Sequence, residues 1–177
     1  MKKIFTLILA VIAAVTTVKA QFEVGGIVGG MNGASAKYWL NDKMALQADL
    51  AVGLTAAPTG IYYKGNKLGE GQMDHFDFML NPNFLYHFDL PANFKVYAGG
   101  GLGLGLMGPL ATYGYGTTVL GKFIINAIGG VSYDLPSIPL VLACDFRPGY
   151  GLGFMGGDDA HYSMFDWKLA FAVRYKL

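Results

Sequence analysis

From Phe165 to the end of the chain, large and small residues alternate without a break. Phe165, Trp167, Leu169, Phe171, Val173, Tyr175 and Leu177 fall on one parity, and Asp166, Lys168, Ala170, Ala172, Arg174 and Lys176 fall on the other. A period of two belongs to an extended strand, whose successive side chains point to opposite faces. The pattern recurs upstream. Leu140, Leu142, Cys144, Phe146, Pro148, Tyr150, Leu152 and Phe154 oppose Val141, Ala143, Asp145, Arg147, Gly149, Gly151 and Gly153. Phe76, Phe78, Leu80, Pro82, Phe84, Tyr86 and Phe88 oppose Asp77, Met79, Asn81, Asn83, Leu85, His87 and Asp89. Met44 to Leu54 alternates in the same way, and weaker cases run over Phe22–Met31, Ala34–Leu40 and Thr118–Tyr133.

One stretch invites a different reading. Val96 to Gly121 is 26 residues without a charge, enough for a membrane helix. It contains nine Gly and Pro109, and its centre, Gly99 to Leu106, alternates Gly with Leu. Interior Gly costs a helix up to about 1 kcal/mol relative to Ala, so this too reads as a strand. Eight strands result. Asn41–Lys43, Asp89–Asn93 and Leu135–Pro139 are short connections, whereas Thr55–Asp74, Met107–Thr117 and Met155–Ser163 are long. Asn32-Gly33 is a tight hairpin signal.

Which face is buried decides the architecture. The large face carries Phe, Trp, Tyr or Leu at nearly every position, and the other face is small or charged. A soluble β-sandwich would bury the first in a core. A membrane barrel turns it to lipid and turns the small polar face to its lumen. Strands of this length cross a bilayer when tilted, and closing the sheet satisfies every backbone group, as hydrocarbon requires. The expected fold is all-β: an eight-stranded antiparallel up-and-down transmembrane β-barrel. Phe22, Tyr38, Tyr133 and Tyr175 would form one interfacial girdle, and Phe76, Phe154, Phe165 and Trp167 the other. Pro82 and Pro148 fall inside strands, where each removes a ladder hydrogen bond.

The first twenty residues read as an address. Met1-Lys2-Lys3 is a basic start, Ile4 to Val18 is uncharged, and Val18-Lys19-Ala20 offers small residues at a cleavage site. Residues 1–20 are thus expected to be a signal peptide and 21–177 the barrel domain. Removing Lys2, Lys3 and Lys19 turns a formal +1 into 10 basic against 12 acidic residues. That balance excludes a nucleic-acid protein, which would show a basic patch or stripe. The single Cys144 excludes a disulfide scaffold.

The signal peptide, the eight alternating segments and the loop asymmetry resemble the small outer-membrane barrels of the OmpA/OmpX type. Lys37-Tyr38-Trp39-Leu40-Asn41-Asp42-Lys43-Met44-Ala45-Leu46 looks like a strand-turn-strand unit common in small barrel proteins of Gram-negative bacteria. The resemblance implies an outer-membrane, porin-like setting and monomeric state, with contact to outer-membrane lipid and lipopolysaccharide. It also implies passage through the barrel assembly machinery, and no cofactor or metal.

Parity places Glu23, Asp49, Asp77, Asp145 and Asp166 in the lumen with Lys37, Lys122, Arg147, Lys168 and Arg174. A buried charge without a partner is costly, so these are expected to pair, with Asp145, Arg147, Asp166 and Lys168 as one four-membered network. The expected role is structural or recognition at the surface, with the lumen plugged by these side chains. The alternative is a narrow pore for small solutes. Loop Thr55–Asp74, with Tyr62, Tyr63, Lys64 and Lys67, is the expected contact surface for an extracellular ligand, since loops on a rigid scaffold carry function.

His161-Tyr162-Ser163 resembles the His-x-Ser of outer-membrane lipid A deacylases, with Asp158, Asp159 and Asp166 as nearby carboxylates. The preferred reading is non-enzymatic, with this tripeptide in a solvated outer loop. His75 and His87, twelve residues apart, read as strand-end residues. Gly99 to Gly105 lacks the following helix that a phosphate-binding loop requires.

Overall fold

The computed structural model describes residues 22–109, 120–154 and 160–177. The expected signal peptide lies outside the described residues, as do 110–119 and 155–159, which cover parts of two expected long loops and the start of the expected strand Thr118–Tyr133. Eight strands form one closed antiparallel barrel: β1 (Phe22–Gly29), β2 (Asn32–Trp39), β3 (Met44–Tyr63), β4 (Asn66–Asp89), β5 (Phe94–Pro109), β6 (Leu120–Asp134), β7 (Leu140–Phe154) and β8 (Ala160–Lys176). Each strand pairs with its chain neighbours, and β8 returns to β1.

The register gives the barrel its geometry. The hydrogen-bonding direction can be followed from Gly26 through Ala34, Leu50, Leu80, Leu104, Phe123 and Leu152 to Ser163. Gly26 itself pairs with Val173, ten residues further along β8. A stagger of this kind in eight strands goes with a tilt of roughly 35–45° and an interior that side chains can fill. The expected faces are the observed ones. Phe76, Leu104, Phe146, Phe165 and Trp167 are exposed on the outer wall, whereas Asp77, Asp145, Asp166 and Arg174 are buried inside.

Pro82 and Pro148 each interrupt pairing on one side only. The β4–β5 ladder skips Asn81 and Pro82, while Pro82 still sits opposite Ala48 of β3. Asn83 repairs part of the gap, its Nδ2 donating to the Asn81 carbonyl at 2.8 Å. The β6–β7 ladder likewise skips Arg147 and Pro148, while Pro148 stays opposite Trp167 of β8.

Two expectations about connections need correcting. The first hairpin turns at Gly30-Met31, not at Asn32-Gly33. Asn32 opens β2, and its side chain clamps the turn through the N–H and carbonyl of Gly29. The segment Thr55–Asp74 is not a loop. It continues β3 and β4 as a paired ribbon to a two-residue turn at Lys64-Gly65, where φ is 47° and 78°. Positive φ at both turn residues matches the twist of a hairpin. Nothing marked this ribbon in the sequence because it lacks the large apolar face of the lower strands.

The ribbon changes how the barrel closes. The β1–β2 hairpin is short, and above its tip β3 pairs directly with β8, Thr59–Tyr63 against Ala160–Met164. Glycine permits the tight lower closure. A Cβ on Gly25 would lie 1.8 Å from the Val173 carbonyl oxygen, whereas one on Gly26 would come no closer than 3.7 Å to the oxygen of Gly33. Gly25→Ala is therefore expected to cost about 1–3 kcal/mol through backbone displacement. The measurement is the urea midpoint of the folded, heat-modifiable band in detergent, which Gly26→Ala should leave in place.

Candidate functional site

The lumen is the first candidate site, because it collects the charges. All five predicted acids and four of the five predicted bases are buried, and Lys168 is half-buried. Acids and bases are equal in number among these ten side chains. The charges fall into three groups along the barrel axis.

Nearest the ribbon, Asp77 of β4 is the hub. It accepts from Lys122 Nζ of β6 at 2.9 Å, Lys168 Nζ of β8 at 3.2 Å and Thr55 Oγ1 of β3 at 3.0 Å. His75 Nε2 lies 3.1 Å from the same carboxylate. Asp166 takes the other side of the two lysines, at 3.4 Å from Lys122 and 3.3 Å from Lys168.

In the middle, Arg147 spans the lumen from β7. Its Nη1 donates to Asp49 Oδ2 of β3 at 2.7 Å, and its Nη2 donates to Asp145. Gln47 Nε2 and Asn83 Nδ2 also donate to Asp49, at 3.0 and 3.4 Å, and the Tyr97 hydroxyl donates to Asp145. Arg147 Nη1 is 3.7 Å from the sulfur of Met31, which the first hairpin turns inward.

Toward the end that holds the short turns, Trp39 Nε1 donates to Glu23 at 2.7 Å, and Arg174 Nε donates to Ser35 Oγ at 2.8 Å. Lys37 Nζ is 3.3 Å from His87 Nε2 and sits 4.8 Å from the centre of the Tyr97 ring, a cation–π contact. At the rim, Asp134 accepts from Lys176 at 2.8 Å.

The four-membered network expected from Asp145, Arg147, Asp166 and Lys168 does not form. Arg147 and Lys168 are direct cross-strand partners, and like charges at opposed positions repel. They turn apart, Arg147 toward Asp49 and Lys168 toward Asp77. His75 and His87 face the lumen and are fully buried, not strand-end residues; Asn81 and Asn83 share that face as the alternation implied, and Trp39, Gln47 and Tyr97 join the lining without having been singled out as site residues. Parity along β4, which both share with Asp77, was the signal that could have placed His75 and His87 in the lumen.

Between the outer and middle groups lies a cavity of about 30 Å³, lined by Met31, Met79, Asn81, Lys122, Asn126 and Arg147 among others. No cluster of His, Cys, Asp or Glu suited to a metal ion occurs among the described residues.

The ribbon is the second candidate site. Lys64 Nζ lies over the Tyr63 ring at 5.5 Å, and Lys67 pairs with Glu70. Tyr62 stacks on His161 of β8, centroids 5.0 Å apart and planes within 4°. This is a correction to the expected solvated loop, since His161, Tyr162 and Ser163 belong to β8 and seal the seam with β3. Ser163 and Asp166 fall on opposite faces of β8, and Asp166 is held by lysines in the lumen. Asp158 and Asp159 lie outside the described residues. Cys144 faces outward, half-buried.

Removing Asp77 leaves Lys122 and Lys168 to share Asp166 alone. Asp77→Ala is expected to cost about 3–5 kcal/mol of stability in detergent, read from the denaturation midpoint. Asp134→Asn at the wetter rim should cost no more than about 1 kcal/mol.

No protein-family model matches the chain, and no curated protein matches it by sequence. Solved structures match it in fold. The N-terminal β-barrel domain of Pseudomonas aeruginosa OprF aligns over 89% of this chain and 96% of its own, with 16% identity and a TM-score of 0.54. A major outer membrane protein from Thermus thermophilus aligns over 90% of this chain and 100% of its own, with 13% identity and a TM-score of 0.53. At such identities the likeness is one of fold: an eight-stranded transmembrane barrel.

Proposed function

We propose that this chain is an integral outer-membrane barrel with a plugged lumen, which acts as a rigid mount for its β3–β4 ribbon. The observation that carries the reading is the lumen's filling. Five acids and five bases balance, Lys122 and Lys168 reach Asp77 and Arg147 reaches Asp49 across its width, and the cavity between the outer and middle groups is about 30 Å³. A water needs roughly 10–15 Å³ of such space, so that cavity is the size of a few waters and not of a solute. Pairing at this depth has a physical reason. A lone charge in a low-dielectric lumen costs several kcal/mol, and a conducting path would need the pairs to part.

Both chain ends of the barrel and the turns Leu40–Lys43, Leu90–Asn93 and Leu135–Pro139 share one end. Short turns face the periplasm in barrels of this type, which puts the ribbon outside. Tyr62, Tyr63, Lys64 and Lys67 then form the recognition surface. The chemistry of the seam supports a non-enzymatic role: His161 is engaged by Tyr62, and the carboxylate three residues beyond Ser163 serves the lumen.

Purified protein in a planar bilayer is expected to give no conductance above bare lipid, and Arg147→Ala the same. Discrete steps from the wild type would replace the plug with a pore. For orientation, Lys64→Cys in a Cys144→Ser background should react with an impermeant maleimide on intact cells. Asp42→Cys, in a short turn, should not, and the reverse pattern would invert the barrel.

A further inference from the structure

At the β3–β8 seam the outer wall has a dent, and the register accounts for it. One outward row reads Lys67, Tyr62, His161, Phe154 across β4, β3, β8 and β7. The row beneath reads Glu70, Gly60, Ser163, Leu152. Below that, Phe165 and Tyr150 are partners, with Pro58 on β3 beside them. Two small residues, Gly60 and Ser163, thus lie between aromatic rows. The result is an open groove of about 510 Å³, within the range of small-ligand sites.

Its walls differ in kind. Phe165 and Tyr150 are 51% and 55% exposed and belong to the lipid-facing belt. The opposite wall is Tyr62, itself stacked on His161, and the Lys67–Glu70 ion pair stands at one end. Ser163, only 9% exposed, lies at the floor. A second groove of similar size, over Ala36, Ala48 and Pro82, is walled by Leu46, Phe84 and Leu102 and offers acyl chains a surface, with the Tyr38 phenol as the polar outward side chain of its lining. The seam groove is half belt and half ribbon, so its occupant must be amphiphilic.

The polar half narrows the headgroup. Lys67 supplies donors, Glu70 acceptors, and the Ser163 hydroxyl both. Paired donors and acceptors beside aromatic faces suit the hydroxyls and C–H face of a sugar ring. A bare phosphate would reach Lys67 only against the Glu70 carboxylate. We infer that the seam groove binds the sugar headgroup of a glycolipid in the outer leaflet, with the lipid's chains lying along Phe165 and Tyr150. This rests on the outer-membrane reading above.

The test uses the full barrel in nanodiscs of phosphatidylethanolamine and phosphatidylglycerol, doped with an acylated diglucosamine lipid stripped of its phosphates. Native mass spectrometry reads the lipid retained. One glycolipid per barrel is expected, preferred at least tenfold over phosphatidylglycerol. Tyr62→Ala and Ser163→Leu should each abolish the preference. Lys67→Gln with Glu70→Gln should keep it, since the amides still donate and accept, and Leu104→Ala, on the outer wall away from the groove, should leave it unchanged. Equal retention of phosphatidylglycerol would overturn the inference, as would equal loss in Leu104→Ala. Loss in the double glutamine variant would also overturn it and point to a site that reads charge. A heat-modifiable, inserted barrel without the preference refutes the groove alone, whereas failure to insert refutes the outer-membrane reading with it.

Discussion

A strand in hydrocarbon has nowhere to send its N–H and C=O groups except to another strand. Everything else here answers that constraint. Closure around the ring removes the free edges, and a stagger of ten residues sets the tilt at which the ring closes. Once closed, each strand has one face in lipid and one in a lumen too narrow for bulk water. The outer face can then be apolar almost throughout. The inner face must be filled and neutral, because charges placed there cannot be hydrated as they would be on a surface.

The inner face meets this demand by two means. Small residues on β5, β7 and β8 leave room, and long ones from other strands reach across it. Arg147 extends from β7 to Asp49 on β3, and Lys122 from β6 to Asp77 on β4. Such pairs tie non-adjacent strands together, which backbone ladders cannot do. The clash of like charges at Arg147 and Lys168 then divides the network.

Much of the wall was legible in the sequence, and the reason is physical. Alternation of Phe and Leu with Gly and Asp reports which residues touch lipid, so β4, β7 and β8 could be assigned to their faces residue by residue. The same signal goes silent where strands leave the lipid. Thr55–Asp74 looked like a loop because neither face of the ribbon needs to be apolar, although its backbone is paired on both sides of a single register shift opposite Leu68. Inside the lumen, parity told which charges face inward but not their partners. Those depend on register across strands distant in sequence, and pairing of Asp77 with Lys122 or Asp49 with Arg147 has no local signature.

The double closure of β8 has a kinetic side. The final strand must find β1 and β3 together, across roughly 150 and 100 residues of chain, and contacts so distant in sequence slow folding. Neither seam is complete without the other, since the same strand forms both. A half-assembled sheet therefore keeps two unsatisfied edges until its last strand arrives. The C-terminal segment, whose alternation is the most regular in the chain, acts as the latch on which the whole assembly waits.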